Sequence, residues 1–338
     1  MRPQVLICSY LQEDLVGKLI RDVPEVDVIY RPDLLPVPQF GADHWGRHRD
    51  LSDGQISEWR AHLAGANIMF DFDWWQPNAW QKHSPNLAWI QATQAGVGAR
   101  ALATGHTENR VLITTAAGVH AKPLAEFALA GLLHFVRELP FLAAQKELQR
   151  WENGASRTLH GQSALIVGAG SIGREVARTL NFMGVSCDGT TRGSRILGQP
   201  FENSVTLQDS DLAGYDIVVL ACPLTAETTG LFNRQRIFAM RQGALLVNLA
   251  RGPVLDQEAL LEALKTGHLG GAVLDVATPE PLPSGHPLWD TPNLILSPHT
   301  AANVDAENSR LVTLFAENLR RHLSGEELVN AYDPFLGY

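Results

Sequence analysis

The chain has 338 residues, 45% of them hydrophobic and 19% charged, with a formal net charge of −9. That length suits two domains, and that composition fills cores rather than sustaining disorder. The acidic balance argues against nucleic acid or an anionic membrane surface as a partner. Three cysteines, Cys8, Cys187 and Cys222, lie apart without CxxC spacing, so neither a disulfide framework nor a metal site is expected. The N-terminal stretch MRPQVLICSYLQEDLV offers an apolar run of only four residues, too short for a leader or a membrane span. The expectation is a cytoplasmic protein.

In chain order, QVLICSY predicts a strand, LVGKLIRDV a helix and VDVIY a strand; ISEWRAHLAGA predicts a helix, and NIMFDF, NLAWIQAT and RVLITTA three more strands. Such alternation predicts a parallel sheet covered by helices. Trp74, Trp75, Trp80 and Trp89 read most simply as packing residues, with the lining of a substrate mouth as the alternative. A long helix is expected from about Pro123 to Leu139, its proline near the start where a missing N–H costs little. It is apolar on more than one face (Leu124, Phe127, Leu129, Leu132, Leu133, Phe135, Val136). One domain core needs less than that, so the helix and the following Trp151 segment predict a homodimer. A second series follows the polar stretch RWENGASRTLHGQ: SALIVG, GREVARTLNFMG, VSCDGTT, DIVVLAC, ALLVNLA, EALLEALKTG, GAVLDV and LILSPH. A last helix, about Val304 to Leu323, should end near Gly325. The reading is an inner domain, 118–304, inserted into an outer one made of 1–117 and 305–338.

SALIVGAGSIGREVARTL carries Gly168, Gly170 and Gly173 as GxGxxG, between a strand run and a helical period. The first glycine permits the tight turn, the second admits a pyrophosphate to the backbone, and the third lets helix and strand close up. The phosphates would sit at Ser171 and Ile172, on the N–H groups and positive end of the helix. The residue closing the next strand chooses between cofactors, because an acidic side chain there holds ribose hydroxyls. This chain presents Thr191, followed by Arg192, Ser194 and Arg195. Hydroxyls and a guanidinium suit a 2′-phosphate that a carboxylate would repel. NADP is therefore favoured over NAD. Arg192 and Arg195 as plain solvated charges, and Asp188 as the ribose ligand in a shorter register, remain as alternatives.

Three downstream segments, VNLARGPVLDQEAL, GAVLDVATPEPLP and LILSPHTAA, each follow a predicted strand of the second sheet, where ligands gather at carboxyl ends. Singly, Arg251, Glu280 and His299 admit ordinary readings as a strand cap, a loop charge and a satisfied histidine. Together, in this order, with GAGSIG and ACPLTAETTGLFN, they resemble the D-isomer-specific 2-hydroxyacid dehydrogenases. The likeness spans the inner domain and, more loosely, the outer one through WIQATQAGVGA.

That resemblance implies two Rossmann-like α/β domains, a flavodoxin-like substrate domain and a doubly wound NAD(P)-binding domain, with the active site in the cleft. It implies Arg251, Glu280 and His299 as the catalytic set and Asp275 near the nicotinamide ring. Cys222, Pro223 and Thr228 would line the adenosine side, and the Leu249–Ala250 backbone the nicotinamide side. The amides of Ala95, Gly96 and Val97 would hold the substrate carboxylate, together with Arg251. In a ketone reduction Arg251 would stabilise charge growing on the keto oxygen. His299 would deliver the proton, and Glu280 would fix its tautomer and favour its charged form. QAGVGAR lacks the acidic residue that often follows this loop, which puts carboxylate recognition in question. The glutamate at 280, where formate-oxidising members carry an amide, disfavours formate. His120, Lys122 and His268 receive no role. The leading expectation is an NADPH-linked reductase of glyoxylate, hydroxypyruvate or another 2-keto acid. NAD-linked oxidation of a D-2-hydroxy acid, or a nucleotide-sensing, corepressor-like binding protein, are the alternatives.

Overall fold

In the computed structural model, residues 2–106, 111–191, 195–207 and 212–335 are described. The chain forms two compact units, residues 1–120 with 303–338 and residues 121–302.

The first unit opens with β1 (Gln4–Ile7), α1 (Glu13–Asp22), β2 (Asp27–Ile29), α2 (Asp53–Gly65) and β3 (Ile68–Phe70). It continues with α3 (Trp80–His83), β4 (Trp89–Gln91), α4 (Gly98–Ala103) and β5 (Leu112–Thr114). The strands are all parallel, in the order β2-β1-β3-β4-β5. Because side chains alternate along a strand, Val5 and Ile7 enter one core and Leu6 the opposite one. Both faces are covered, which is why the strands read as unbroken apolar runs. The tryptophans are packing residues. Trp89 is wholly buried against Phe315, Trp80 stacks on His106, and Trp74 and Trp75 flank the α2 side of the core.

The second unit begins with α5 (Ala121–Val136) and α6 (Leu139–Glu147). Its strands and helices follow as β6 (Ser163–Val167), α7 (Ser171–Phe182), β7 (Ser186–Thr190), β8 (Ser204–Val205) and β9 (Ile217–Leu220). Then come α8 (Arg234–Ala239), β10 (Leu245–Asn248), α9 (Gln257–Lys265), β11 (Gly271–Leu274) and β12 (Leu294–Leu296). All strands are parallel, in the order β12-β11-β10-β9-β6-β7-β8. The order reverses between β6 and β9, the crevice where a doubly wound sheet takes its ligand. Helix α10 (Glu307–Ser324) returns to the first unit and ends at Gly325 in the left-handed region, φ 69°.

The long helix is shorter at its carboxyl end than its apolar run suggests, stopping at Val136 rather than Leu139. Pro140 accounts for this: its ring would clash with the carbonyl four residues back, so the chain turns through Glu138 at φ 52° and restarts as α6, bent by 60°. Helix α5 spends Leu124, Ala125, Ala128, Leu132 and Val136 on the core of its own unit, with Phe127, Leu129, Leu133 and Phe135 partly buried beside it. The apolar surface left open lies instead on α6 and beyond: Leu139, Leu142 and Leu148, then Trp151 at 99% exposure. Among the described residues no single helix is long and apolar enough to cross a membrane; the bent pair α5–α6 meets that test by length and composition alone. His120, without a role from sequence, is bonded through Nε2 to Glu307 at 3.1 Å.

Candidate active site

At the end of β6 the chain turns at Gly168, φ 107°, a conformation that a side chain disfavours. A Cβ there would also meet the Cys222 backbone nitrogen at 2.6 Å. At Gly170, the N-cap of α7, an added Cβ would find nothing within 4 Å. A Cβ on Gly173 would collide with the Gly168 carbonyl oxygen. One glycine is thus needed for the turn, one leaves open space before a helix N-terminus, and one lets α7 lie against the loop. Such a loop can accept a dinucleotide pyrophosphate. Ser171 opens α7 and is exposed, while Ile172 packs into the core. The Gly168 N–H donates to Thr190 Oγ1 at 3.0 Å, so the tip of β7 fixes the loop, a link that sequence reading missed.

Thr191 is the first residue past β7, and its N–H donates to the Val205 carbonyl at 2.9 Å. Arg192 and Ser194 lie outside the described residues. Asp188, the rival ribose ligand, sits inside β7. Its carboxylate accepts from the Asn203 N–H and Nδ2 and from the Tyr215 hydroxyl, at 2.9–3.0 Å. Those bonds commit it to the sheet edge. After β9, Cys222 is buried and Pro223 exposed. Thr228 is buried, donating to the Pro223 carbonyl at 2.6 Å and accepting from the Thr225 N–H at 2.7 Å. It shapes the turn.

The carboxyl ends of β10, β11 and β12 bring the other expected residues together. Beyond β10, the Leu249 N–H donates to the Leu220 carbonyl at 2.9 Å. Asn248, wholly buried, accepts from the Ala250 N–H at 3.0 Å and donates to the Arg251 carbonyl at 3.3 Å. Arg251 Nη1 donates to the Ala250 carbonyl at 2.7 Å. At Gly252 a Cβ would strike the Ala277 carbonyl, so only glycine lets the β10 and β11 loops touch. Burial pulls the Arg251 guanidinium below its ordinary value, while Glu280 and Asp275 act in the opposite sense. An arginine so placed remains a cation at neutral pH.

Asp275, 3% exposed, follows β11 and is the fastening point. Its N–H donates to the Asn248 carbonyl at 3.1 Å, and its own carbonyl accepts the His299 N–H at 2.8 Å. Its Oδ1 accepts from the Ser297 hydroxyl at 2.8 Å and from the Ala301 N–H at 3.0 Å. His299 adopts φ 59°, a left-handed conformation that costs of order 1 kcal/mol and is held by these bonds. The turn brings His299 Nδ1 to 2.9 Å from Glu280 Oε2, while Glu280 Oε1 accepts from the Ala277 N–H at 2.9 Å. His299 Nε2 has no partner among the described residues. A carboxylate that accepts from one imidazole nitrogen presents the other for proton transfer. Asn248 and Ser297 were missed by sequence reasoning; a polar residue closing the apolar run ALLVN was the available signal.

In the first unit, Ala95, Gly96 and Val97 lie between β4 and α4. Among the described residues their amides donate to no acceptor.

Residues 129–301 match the family model of the D-isomer specific 2-hydroxyacid dehydrogenase NAD-binding domain. The chain is 29% identical over 315 residues to glyoxylate/hydroxypyruvate reductase A of Serratia proteamaculans, covering 89% of this chain and 98% of that one. It is 34% identical over 230 residues to a glyoxylate reductase of Thermofilum pendens, covering 65% and 67%. Among solved structures, it is similar to a D-isomer specific 2-hydroxyacid dehydrogenase of Xanthobacter autotrophicus Py2 in complex with NADPH and MES. That likeness has a TM-score of 0.77 and 28% identity, with both chains fully covered. The chain belongs to the D-isomer specific 2-hydroxyacid dehydrogenase family. It is an NAD(P)-binding oxidoreductase of two Rossmann-like units.

The glycine loop yields a prediction. Gly173→Ala must push α7 off Gly168, an overpacking that costs about 1–3 kcal/mol. Dinucleotide affinity should fall about tenfold or more, read by quenching of protein fluorescence, with the circular dichroism spectrum retained. Unchanged affinity would show that the loop does not carry the phosphates.

Proposed function

We propose that this protein reduces a small 2-keto acid, of the glyoxylate or hydroxypyruvate kind, to a D-2-hydroxy acid with NADPH. The observation that carries the reading is the 2.9 Å contact between His299 Nδ1 and Glu280 Oε2, on a loop fastened beside Arg251 through Asp275. When bound, the dihydronicotinamide supplies the hydride to the keto carbon. Gly168, Gly170 and Gly173, with the Ser171 end of α7, hold the pyrophosphate. Arg251 offers its remaining N–H groups to the keto oxygen and carboxylate, stabilising the charge that grows there. His299 gives its Nε2 proton to that oxygen, and Glu280 supports the resulting charge redistribution through Nδ1. The amides of Ala95, Gly96 and Val97 are assigned to the substrate carboxylate. Three free, buried cysteines accord with a reducing, cytoplasmic setting.

His299→Asn should lower turnover by about 10²–10⁴-fold with little change in cofactor affinity. Near wild-type turnover of a 2-keto acid panel would remove His299 from its role. An inactive wild type that still binds the dinucleotide would favour the sensor reading instead.

Cofactor preference rests on Thr191 at the tip of β7 and, from sequence, on Arg192. The NADPH complex of the Xanthobacter relative supports it. A charge-assisted bond is worth about 1.5–3 kcal/mol, so Arg192→Ala should raise the NADPH KM roughly 10–150-fold and the NADH KM little. Thr191→Asp should reverse the preference by repelling the 2′-phosphate. A wild type that prefers NADH overturns this assignment.

A second copy of the chain is the partner proposed for α6 and its continuation, on the strength of Leu139, Leu142, Leu148 and Trp151 standing exposed together in sequence. Light scattering should give twice 37.0 kDa, and Leu142→Glu with Trp151→Glu should return the mass to that of one chain. A wild-type mass of one chain at micromolar concentration contradicts the dimer.

A further inference from the structure

The first unit carries a guanidinium that none of the roles above uses. Its sheet order reverses at β1 and β3, and in an open parallel sheet that crevice, at the carboxyl ends of the strands, is where ligands bind. Asp71 lies one residue past β3 with φ 67°. Its carboxylate accepts from the Phe72 N–H at 2.8 Å and the Thr93 hydroxyl at 3.1 Å. Arg100, in the first turn of α4, adds a bond from Nη1 to Asp71 Oδ1 at 3.3 Å. That is long for a charge-assisted bond, which settles near 2.7–2.9 Å. Asp71 therefore orients the guanidinium without saturating it. Of the five N–H groups of an arginine, only one, on Nη1, has a partner among the described residues.

Two aromatic rings pack against the Arg100 guanidinium. Its Cζ lies 4.7 Å from the Trp45 ring centroid and 4.5 Å from that of Phe72. Trp45 is 62% exposed and would not hold this place by burial. It is held by buried Asp43, whose carboxylate accepts from the N–H groups of Gln39, Trp45 and Gly46 at 2.9–3.1 Å. A loop is thus organised to lay an aromatic ring on one cation, which orders the side chain and leaves 18% of it exposed.

We propose that Arg100 is a specificity-determining residue that binds a second carboxylate on the substrate, so that the preferred substrates are short 2-keto dicarboxylic acids. A planar fork ordered by two rings, with N–H groups to spare beyond its bond to Asp71, matches a carboxylate. The proposal rests on the 2-keto acid reductase reading above and narrows its substrate class.

The test compares substrates of one chain length that differ in the terminal carboxylate alone: 2-oxoglutarate against 2-oxopentanoate, each with NADPH. Wild type should show the higher kcat/KM for 2-oxoglutarate. Arg100→Met should lower the ratio of the two kcat/KM values by about tenfold or more, and Arg100→Lys should give an intermediate ratio. Because the ratio is taken within one protein preparation, partial loss of folded enzyme does not affect it. A wild type that favours 2-oxopentanoate overturns the proposal without any variant, as does a ratio unmoved by Arg100→Met, which would leave Arg100 a packing residue. In both cases turnover of the monocarboxylate preserves the reductase reading. Failure to reduce any 2-keto acid would remove that reading and the proposal with it.

Discussion

The arrangement of the strand ends in the second unit hangs on one buried carboxylate. Asp275 sits at the end of a strand, where its N–H bonds to Asn248 at the end of β10 and its carbonyl and carboxylate bond to the His299 loop. A buried acceptor left unsatisfied costs about 1–3 kcal/mol, so each bond that satisfies Asp275 also specifies where a neighbouring loop must lie. The strained φ of His299 is the result. Asn248 repeats the device one strand away, and Gly252 removes the side chain that would force the loops apart. Arg251, Glu280 and His299, the residues proposed to react, are positioned by these surrounding groups.

The dinucleotide cradle obeys a different constraint, one of exclusion. Nothing draws Gly168 and Gly173 together except the absence of Cβ atoms that would keep them apart. Helix α7 can then begin beside the loop, with its free N–H groups directed at the open space over Gly170. Thr190 completes the arrangement by taking the Gly168 N–H, which couples the phosphate loop to the strand whose tip carries Thr191. The residues proposed for cofactor binding and for cofactor choice thereby share one short piece of structure.

Much of this was legible before folding. Parallel sheets buried on both faces need unbroken apolar strands, so QVLICSY, SALIVG and ALLVNLA announced themselves, and the glycine spacing announced the cradle. The residues that stayed hidden are polar groups whose partners are distant in sequence. Ser297 lies 22 residues from Asp275, and Thr190 lies 22 residues from Gly168. No local pattern encodes such a pair. The helix boundary at Val136 was misjudged for a local reason: the apolar period continued, while Pro140 imposed its penalty one turn upstream.

The sequence by itself determined the class of fold, the position of the glycine loop, and Arg251, Glu280 and His299 as the residues that the proposed reaction uses. Periodicity, glycine placement and side-chain chemistry are properties of adjacent residues, and they survive without coordinates. Tertiary structure alone decided that His299 turns its Nδ1 to Glu280, that Asp188 is spent on the sheet edge, and that Arg100 lies between Trp45 and Phe72. Each of these depends on which lone pair or ring face a neighbour occupies, and neighbours are chosen only when the sheet closes and the strand ends are brought into register.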